Sequence, residues 1–148
     1  MPKMLVPLAE GFEEIEAITI IDVCRRGDID VTVAGVTGMT VKGGQGIEVA
    51  ADCLLDSLDI DHFDMITLPG GLAGTLVLSE SENVQSILKQ MKEQGKYIGA
   101  ICAAPLALHT ADVLNKDFTC YPSIENQIRL DGYHHDQSTI IDGKVMTS

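Results

Sequence analysis

The sequence changes its hydrophobic period twice in its first 35 residues, and this constrains the fold more than any other feature. Met4 to Ala9 is a compact apolar run closed by Glu10-Gly11, which suits a central strand and its turn. From Phe12 to Arg26 the period becomes helical, with Ile15, Ile18, Thr19, Asp22 and Val23 recurring and Gly27 as the stop. Asp30 to Gly35 (DVTVAG) returns to a Val-rich strand. Strand, helix and strand in so short a span make a βαβ unit, the element of a parallel sheet with helices on both faces.

The same alternation runs on. Val36 to Ala51 is β-branched and broken by Gly, as in a hairpin or edge strands. Cys53 to Asp61 is a polar connector carrying leucines, and Phe63 to Leu68 is a strand ending at Pro69-Gly70-Gly71. Ser79 through Gln94 reads as one amphipathic helix with Val84, Ile87, Leu88 and Met91 on its stripe. Tyr97 to Ile101 is a buried strand, followed at once by Cys102 and a helix start at Ala103 to His109, with Pro105 in its first turn. Phe118 to Tyr121 suggests a short strand, Ser123 to Leu130 a short helix, and Thr139 to Thr147 a hairpin around Asp142-Gly143. The expected fold is α/β: one domain over 1–148, a flavodoxin-like three-layer sandwich with a mostly parallel sheet. No helix follows the last strand-like run to cover that side of the sheet.

Composition limits the function. The 148 residues are 45% hydrophobic, enough for one buried core. A net charge of -12 and a pI near 4.5, with only Arg25 and Arg26 adjacent among the cations, argue against nucleic acid and anionic lipid. No apolar stretch is long enough to span a bilayer, and acidic residues follow the first apolar run, so a cytoplasmic location is expected. Gly43, Gly44 and Gly46 precede no GKS or GKT, and the first βα turn lacks GxGxxG. No nucleotide or other cofactor is expected. Among His62, His109, His134 and His135, only His134-His135-Asp136 is clustered, and strand neighbours point to opposite faces. It reads as a solvated loop, and no metal is expected.

Cys24, Cys53, Cys102 and Cys120 form no CxxC pair and read as free thiols. Cys24 suits core or interface, and Cys53 and Cys120 are candidates for secondary oxidation. Cys102 stands apart. In an open parallel sheet, sites form beyond the carboxyl ends of strands, where Glu10 to Glu16, Gly70-Gly71 and Cys102 should meet. A thiol at a helix N-terminus is expected to have a lowered pKa, with Gly71 and Ala103 N–H groups as oxyanion donors. Glycine at 71 suits close approach to a ligand. Glu13 and Glu14 suit the helix dipole, whereas Glu16 lies among apolar residues and would be pushed towards protonation.

EGFEEIEAITIIDVCRRG, DVTVAG, FDMITLPGG, ENVQSILKQMKEQGKYIGAICAAP and DGKVMTS together resemble the ThiJ/PfpI superfamily, in the branch holding the human Parkinson-associated protein and its bacterial homologues. The resemblance implies a reactive Cys102 on a strained nucleophile elbow and Glu16 as a protonated carboxyl touching its sulfur. It implies Gly71 and Ala103 as backbone donors and a homodimer with the first helix at its interface. Implied activities are cofactor-free conversion of glyoxal or methylglyoxal to the hydroxy acid and repair of early glycation adducts. The alternative is a redox-sensing or chaperone-like stress protein whose cysteine becomes a sulfinic acid without turnover. Tyr121, in TCYPS, stands where relatives with peptidase or strong glyoxalase activity keep a histidine, so no Cys-His pair and no peptidase activity are expected. Relatives also continue past the TS pair through a Gly-rich turn into a long helix. The expectation at Ser148 is therefore an open apolar sheet face, prone to instability or aggregation unless a partner fills it.

Overall fold

The first βαβ unit forms where the period changes. In the computed structural model, which describes residues 1–148, β1 (Lys3–Leu8) is buried from Met4 onward and is followed by α1 (Glu14–Arg26). β2 (Asp30–Gly35) returns parallel to β1, from Lys3 opposite Asp30 to Leu8 opposite Gly35. Gly27 caps α1 through N–H contacts to the carbonyls of Val23 and Cys24. The Gly-punctuated stretch is a separate antiparallel hairpin, β3 (Thr40–Lys42) and β4 (Glu48–Ala50).

The main sheet adds β5 (Cys53–Leu54), β6 (Met65–Leu68), β7 (Tyr97–Ala100), β8 (Ile140–Asp142) and β9 (Val145–Thr147). Its order is β5-β2-β1-β6-β7-β9-β8, parallel except for β8 against β9. One face carries α2 (Leu72–Glu80), α3 (Glu82–Glu93) and α4 (Pro105–Thr110) over a core that includes Leu5, Ile66, Leu88, Ile98 and Leu108. The other face packs α1 and the hairpin on Met4, Val6, Leu8, Val31 and Val33. Over β6, β7 and β9 that second face opens as an apolar groove of about 340 Å³, lined by Met4, Ile20, Cys24, Met65, Ile101 and Met146 among others.

Several expectations are corrected. Ser79 to Gln94 is not one helix: α2 and α3 break at Ser81, whose extended backbone and Oγ, accepting from Val84 N–H at 3.2 Å, start α3 afresh. α2 itself escaped notice because LAGTLVLSE is apolar nearly all round and has no polar face to set a period. Phe118 to Tyr121 forms only a single bridge, Phe118 to Tyr133, and Ser123 to Leu130 reduces to a 3-10 turn at Ile124–Gln127. The connector from Cys53 contains the edge strand β5 and two further 3-10 turns.

Candidate active site

Because β1, β6 and β7 are parallel neighbours, their carboxyl ends deliver three turns to one edge of the sheet. The last of these makes the elbow. β7 ends at Ala100, and Cys102 takes φ 64, a left-handed conformation rare for a side-chain-bearing residue and costing about 1–3 kcal/mol. Its N–H donates to the Ser148 carbonyl at 2.8 Å, and its own carbonyl accepts from Tyr121 N–H at 2.8 Å. Pinned on both sides, the strained residue holds its sulfur out of the chain. The Gly71 and Ala103 N–H groups and the Glu16 carboxyl all lie close enough to that sulfur to act on its proton. The four residues singled out for chemistry therefore meet at one atom.

Electrostatics here are those of a pair sharing a proton. Burial pushes Glu16 above the usual carboxylate range, outweighing its hydrogen bonds from Cys102 and from Gly70 N–H, the latter at 2.9 Å. The expected lowering of the Cys102 pKa is corrected. Burial pushes the thiol up first, the Glu16 charge and hydrogen bond add to it, and the Gly71 and Ala103 N–H groups pull only partly back. A single proton on Glu16 removes the charge that opposes the thiolate, so the two groups titrate together.

A folded-state pKa above the unfolded value means that the unfolded chain loses this proton first as pH rises. Stability from Glu16 is thus present below its unfolded pKa and lost as pH climbs through the raised folded one. Glu16→Gln should flatten that part of the profile: the wild type's melting temperature declines from pH 4.5 towards 7 relative to the variant. Parallel melting curves over that range would contradict the assignment.

The structure also gives a different reason for Gly71 and a role to Gly70. Gly71 has φ 88, and a Cβ there would sit 2.6 Å from the Gly11 carbonyl and 2.7 Å from Glu13 N. Close approach to the β1–α1 loop, not to a ligand, is what the missing side chain permits. Gly70 was not singled out separately, yet its N–H orients Glu16, its carbonyl accepts from Glu13 N–H at 3.0 Å, and a Cβ would strike Glu16 and Cys102. Two adjacent glycines after a strand were the available signal. Glu14 likewise does more than complement a dipole. Its Oε2 accepts from Gln45 and Ile47 N–H at 2.8 and 3.2 Å, fastening the hairpin to α1. Burial raises its pKa, but these backbone donors and its own N–H outweigh that and hold it low.

A pocket of about 260 Å³ opens beside the sulfur, walled by Glu13, Leu72, Tyr121, Ser123 and Ile124. Tyr121 is 58% exposed on its rim and supplies a phenol where an imidazole was absent from sequence. Elsewhere His134 Nε2 lies 3.0 Å from Asp117, and no three His, Cys, Asp or Glu side chains are grouped to hold a metal ion. No helix is long and apolar enough to cross a membrane.

A profile of the DJ-1/PfpI family matches residues 2–148. The chain belongs to that family. It is 40% identical over 147 residues to Drosophila melanogaster protein dj-1beta, covering 97% of this chain and 79% of that one. The crystal structure of Drosophila DJ-1beta superposes with a TM-score of 0.95 at 39% identity, over 99% of this chain and 81% of the other. The glutathione-independent glyoxalase DJR-1.2 of Caenorhabditis elegans is 34% identical over 94% of this chain and 75% of its own. Against Arabidopsis thaliana protein DJ-1 homolog B the identity is 36% over 99% of this chain, which spans about a third, 34%, of that relative. The expected superfamily and the flavodoxin-like α/β fold are thus both established.

Proposed function

We propose that the protein converts small 2-oxoaldehydes such as methylglyoxal to the corresponding 2-hydroxy acids, using Cys102 and no cofactor. The observation that carries this reading is the convergence of Glu16 and the Gly71 and Ala103 N–H groups on the sulfur of a strained Cys102 beside a small pocket. The likeness to a relative named a glutathione-independent glyoxalase supports it.

The thiolate adds to the aldehyde carbon, and the Gly71 and Ala103 donors lie beside the oxygen that becomes negative in the hemithioacetal. Glu16 gives its own proton to the hemithioacetal oxygen, then as a carboxylate removes the proton from that carbon and returns it to the neighbouring carbonyl carbon through an enediol. The product is a thioester at Cys102. Water hydrolyses it, releasing the hydroxy acid and the thiol. Oxidation at one carbon balances reduction at the next, so no external electron carrier enters. We place the protein in carbonyl and oxidative stress protection, acting as a homodimer through α1 in the cytoplasm. The outer face of α1 supports the dimer by exposing Ile15, Ile18 and Val23 at 76%, 45% and 59%.

The test is incubation with methylglyoxal without glutathione, with chiral identification of lactate. Many turnovers per protein chain are expected, and Glu16→Gln should lower kcat by about 100-fold or more. Absence of lactate from folded protein would exclude the activity. A redox-sensing role is the second reading, favoured by the Glu16 carboxyl, whose pKa burial raises and whose protonated form donates to an oxidised Cys102 sulfur.

A further inference from the structure

Cys120 has no part in the chemistry above, yet it lies beside the elbow. The hydrogen bond from Tyr121 N–H to the Cys102 carbonyl joins the two segments side by side at 2.8 Å. Standard peptide dimensions then keep the Cα atoms of Cys102 and Cys120 within about 7.5 Å of each other, a limit that overlaps the span a disulfide bridges. Cys120 is 6% exposed and packs with Ala103, Leu106, Phe118 and Ile124, so it is tied to the turn that carries Cys102.

The second observation is the setting of its thiol. The Glu125 N–H and the Glu125 carboxylate are both close enough to the Cys120 sulfur to act on it electrostatically. Oε2 of that carboxylate is buried and has no hydrogen-bond partner, a cost a protein seldom keeps without a use. Burial first, then Glu125, and also Cys102, push the Cys120 thiol up to about 11. Such a thiol stays protonated at neutral pH, and its burial, deeper than that of Cys102, keeps it from meeting an electrophile first. It becomes a nucleophile only when a base takes its proton, and Glu125 is the base at hand.

We infer that Cys120 is the resolving thiol of a peroxide-driven switch, closing a Cys102–Cys120 disulfide that shuts down the site and protects Cys102 from over-oxidation. In the first step the Cys102 thiolate attacks a hydroperoxide, the O–O bond breaks, Cys102 becomes a sulfenic acid, and an alcohol or water leaves. In the second, the Cys120 sulfur attacks the sulfenic sulfur, the S–O bond breaks, and the departing hydroxide takes the Cys120 proton by way of Glu125 to form water. Cys102 loses two electrons to the peroxide, and a thiol reductant restores both cysteines. The inference rests on the reactivity of Cys102 in the proposed function, but not on any turnover of 2-oxoaldehydes.

Trypsin makes the switch directly visible. Cleavage at Lys96, Lys116 and Arg129 puts Cys102 on peptide 97–116 and Cys120 on peptide 117–129. The full chain is treated with one to ten equivalents of hydrogen peroxide, alkylated, digested without reductant and mapped by mass spectrometry. The expected result is a linked 97–116/117–129 pair, loss of two titratable thiols, and recovery of both with dithiothreitol. In Cys120→Ala, with its melting curve checked, sulfinic acid at Cys102 should form at several-fold lower peroxide. Sulfinic acid at Cys102 of the wild type with no linked pair at any dose overturns the resolving role and leaves the reactivity of Cys102 intact. No oxidation of Cys102 in folded protein overturns both. A Cys120→Ala variant that fails to fold leaves the wild-type map to decide alone.

Discussion

Cys102→Ala should abolish conversion of methylglyoxal to lactate, a fall of at least about 1,000-fold to the uncatalysed background, while the fold is retained. The sulfur is the only nucleophile in the pocket aligned with two backbone donors and a carboxyl, so no other side chain can replace it. Cys102→Ser sharpens the point. A hydroxyl keeps shape and hydrogen bonding but remains protonated at neutral pH, so that variant should be equally inactive. Lactate production and circular dichroism, measured on the three proteins at matched concentration, decide it. Turnover in folded Cys102→Ala would remove the thiol from the reaction altogether.

Gly70→Ala should reduce kcat/KM by about two orders of magnitude while leaving a folded, less stable chain. The new Cβ would collide with the Glu16 carboxylate, lie 2.6 Å from the Cys102 Cβ, and lie 2.9 Å from the Ile101 carbonyl. Backbone on one side does not yield, so Glu16 must rotate away and surrender its contact with the sulfur. Overpacking of this kind costs about 1–3 kcal/mol, and a misplaced proton carrier costs about 100-fold in rate. Gly71→Ala adds backbone strain at φ 88 to a clash with Glu13 N and should therefore destabilise more. Urea unfolding beside steady-state kinetics separates the two effects. Wild-type activity in Gly70→Ala would mean that the carboxyl need not touch the sulfur.

The sequence made the site legible where chemistry and topology coincided. Cys102 followed an apolar strand and preceded Pro105, which placed it at a strand–helix junction, and Glu16 was an acid among apolar neighbours. Those two need only a parallel sheet to meet. The direction of the Cys102 shift was not legible, because helix position alone argued for a lower pKa, whereas burial and the Glu16 charge come from tertiary packing. Gly70 and Glu14 were hidden for a related reason: their partners are Glu16, Gln45 and Ile47, which no local period connects to them. In the fold, the amphipathic α3 was visible from its stripe, but its start at Ser81 was not, since the preceding α2 presents apolar residues on several sides. The short strand assigned at Phe118 lacked a neighbour long enough to ladder with, and only one bridge formed.

The bond between Gly70 N–H and Glu16 spans 54 residues of chain, and Cys102 lies still further along. A contact of such high sequence separation must meet its loop-closure entropy before it is rewarded, so it is expected to close after the local βαβ unit. The first turn of α1 also anchors the hairpin through Glu14, so the helix cannot loosen without releasing both. The chemical reactivity of one thiol thereby becomes a clock for assembly. During refolding, the slowest phase should be the one in which Cys102 acquires its native rate with an alkylating reagent, after most of the helical signal has returned.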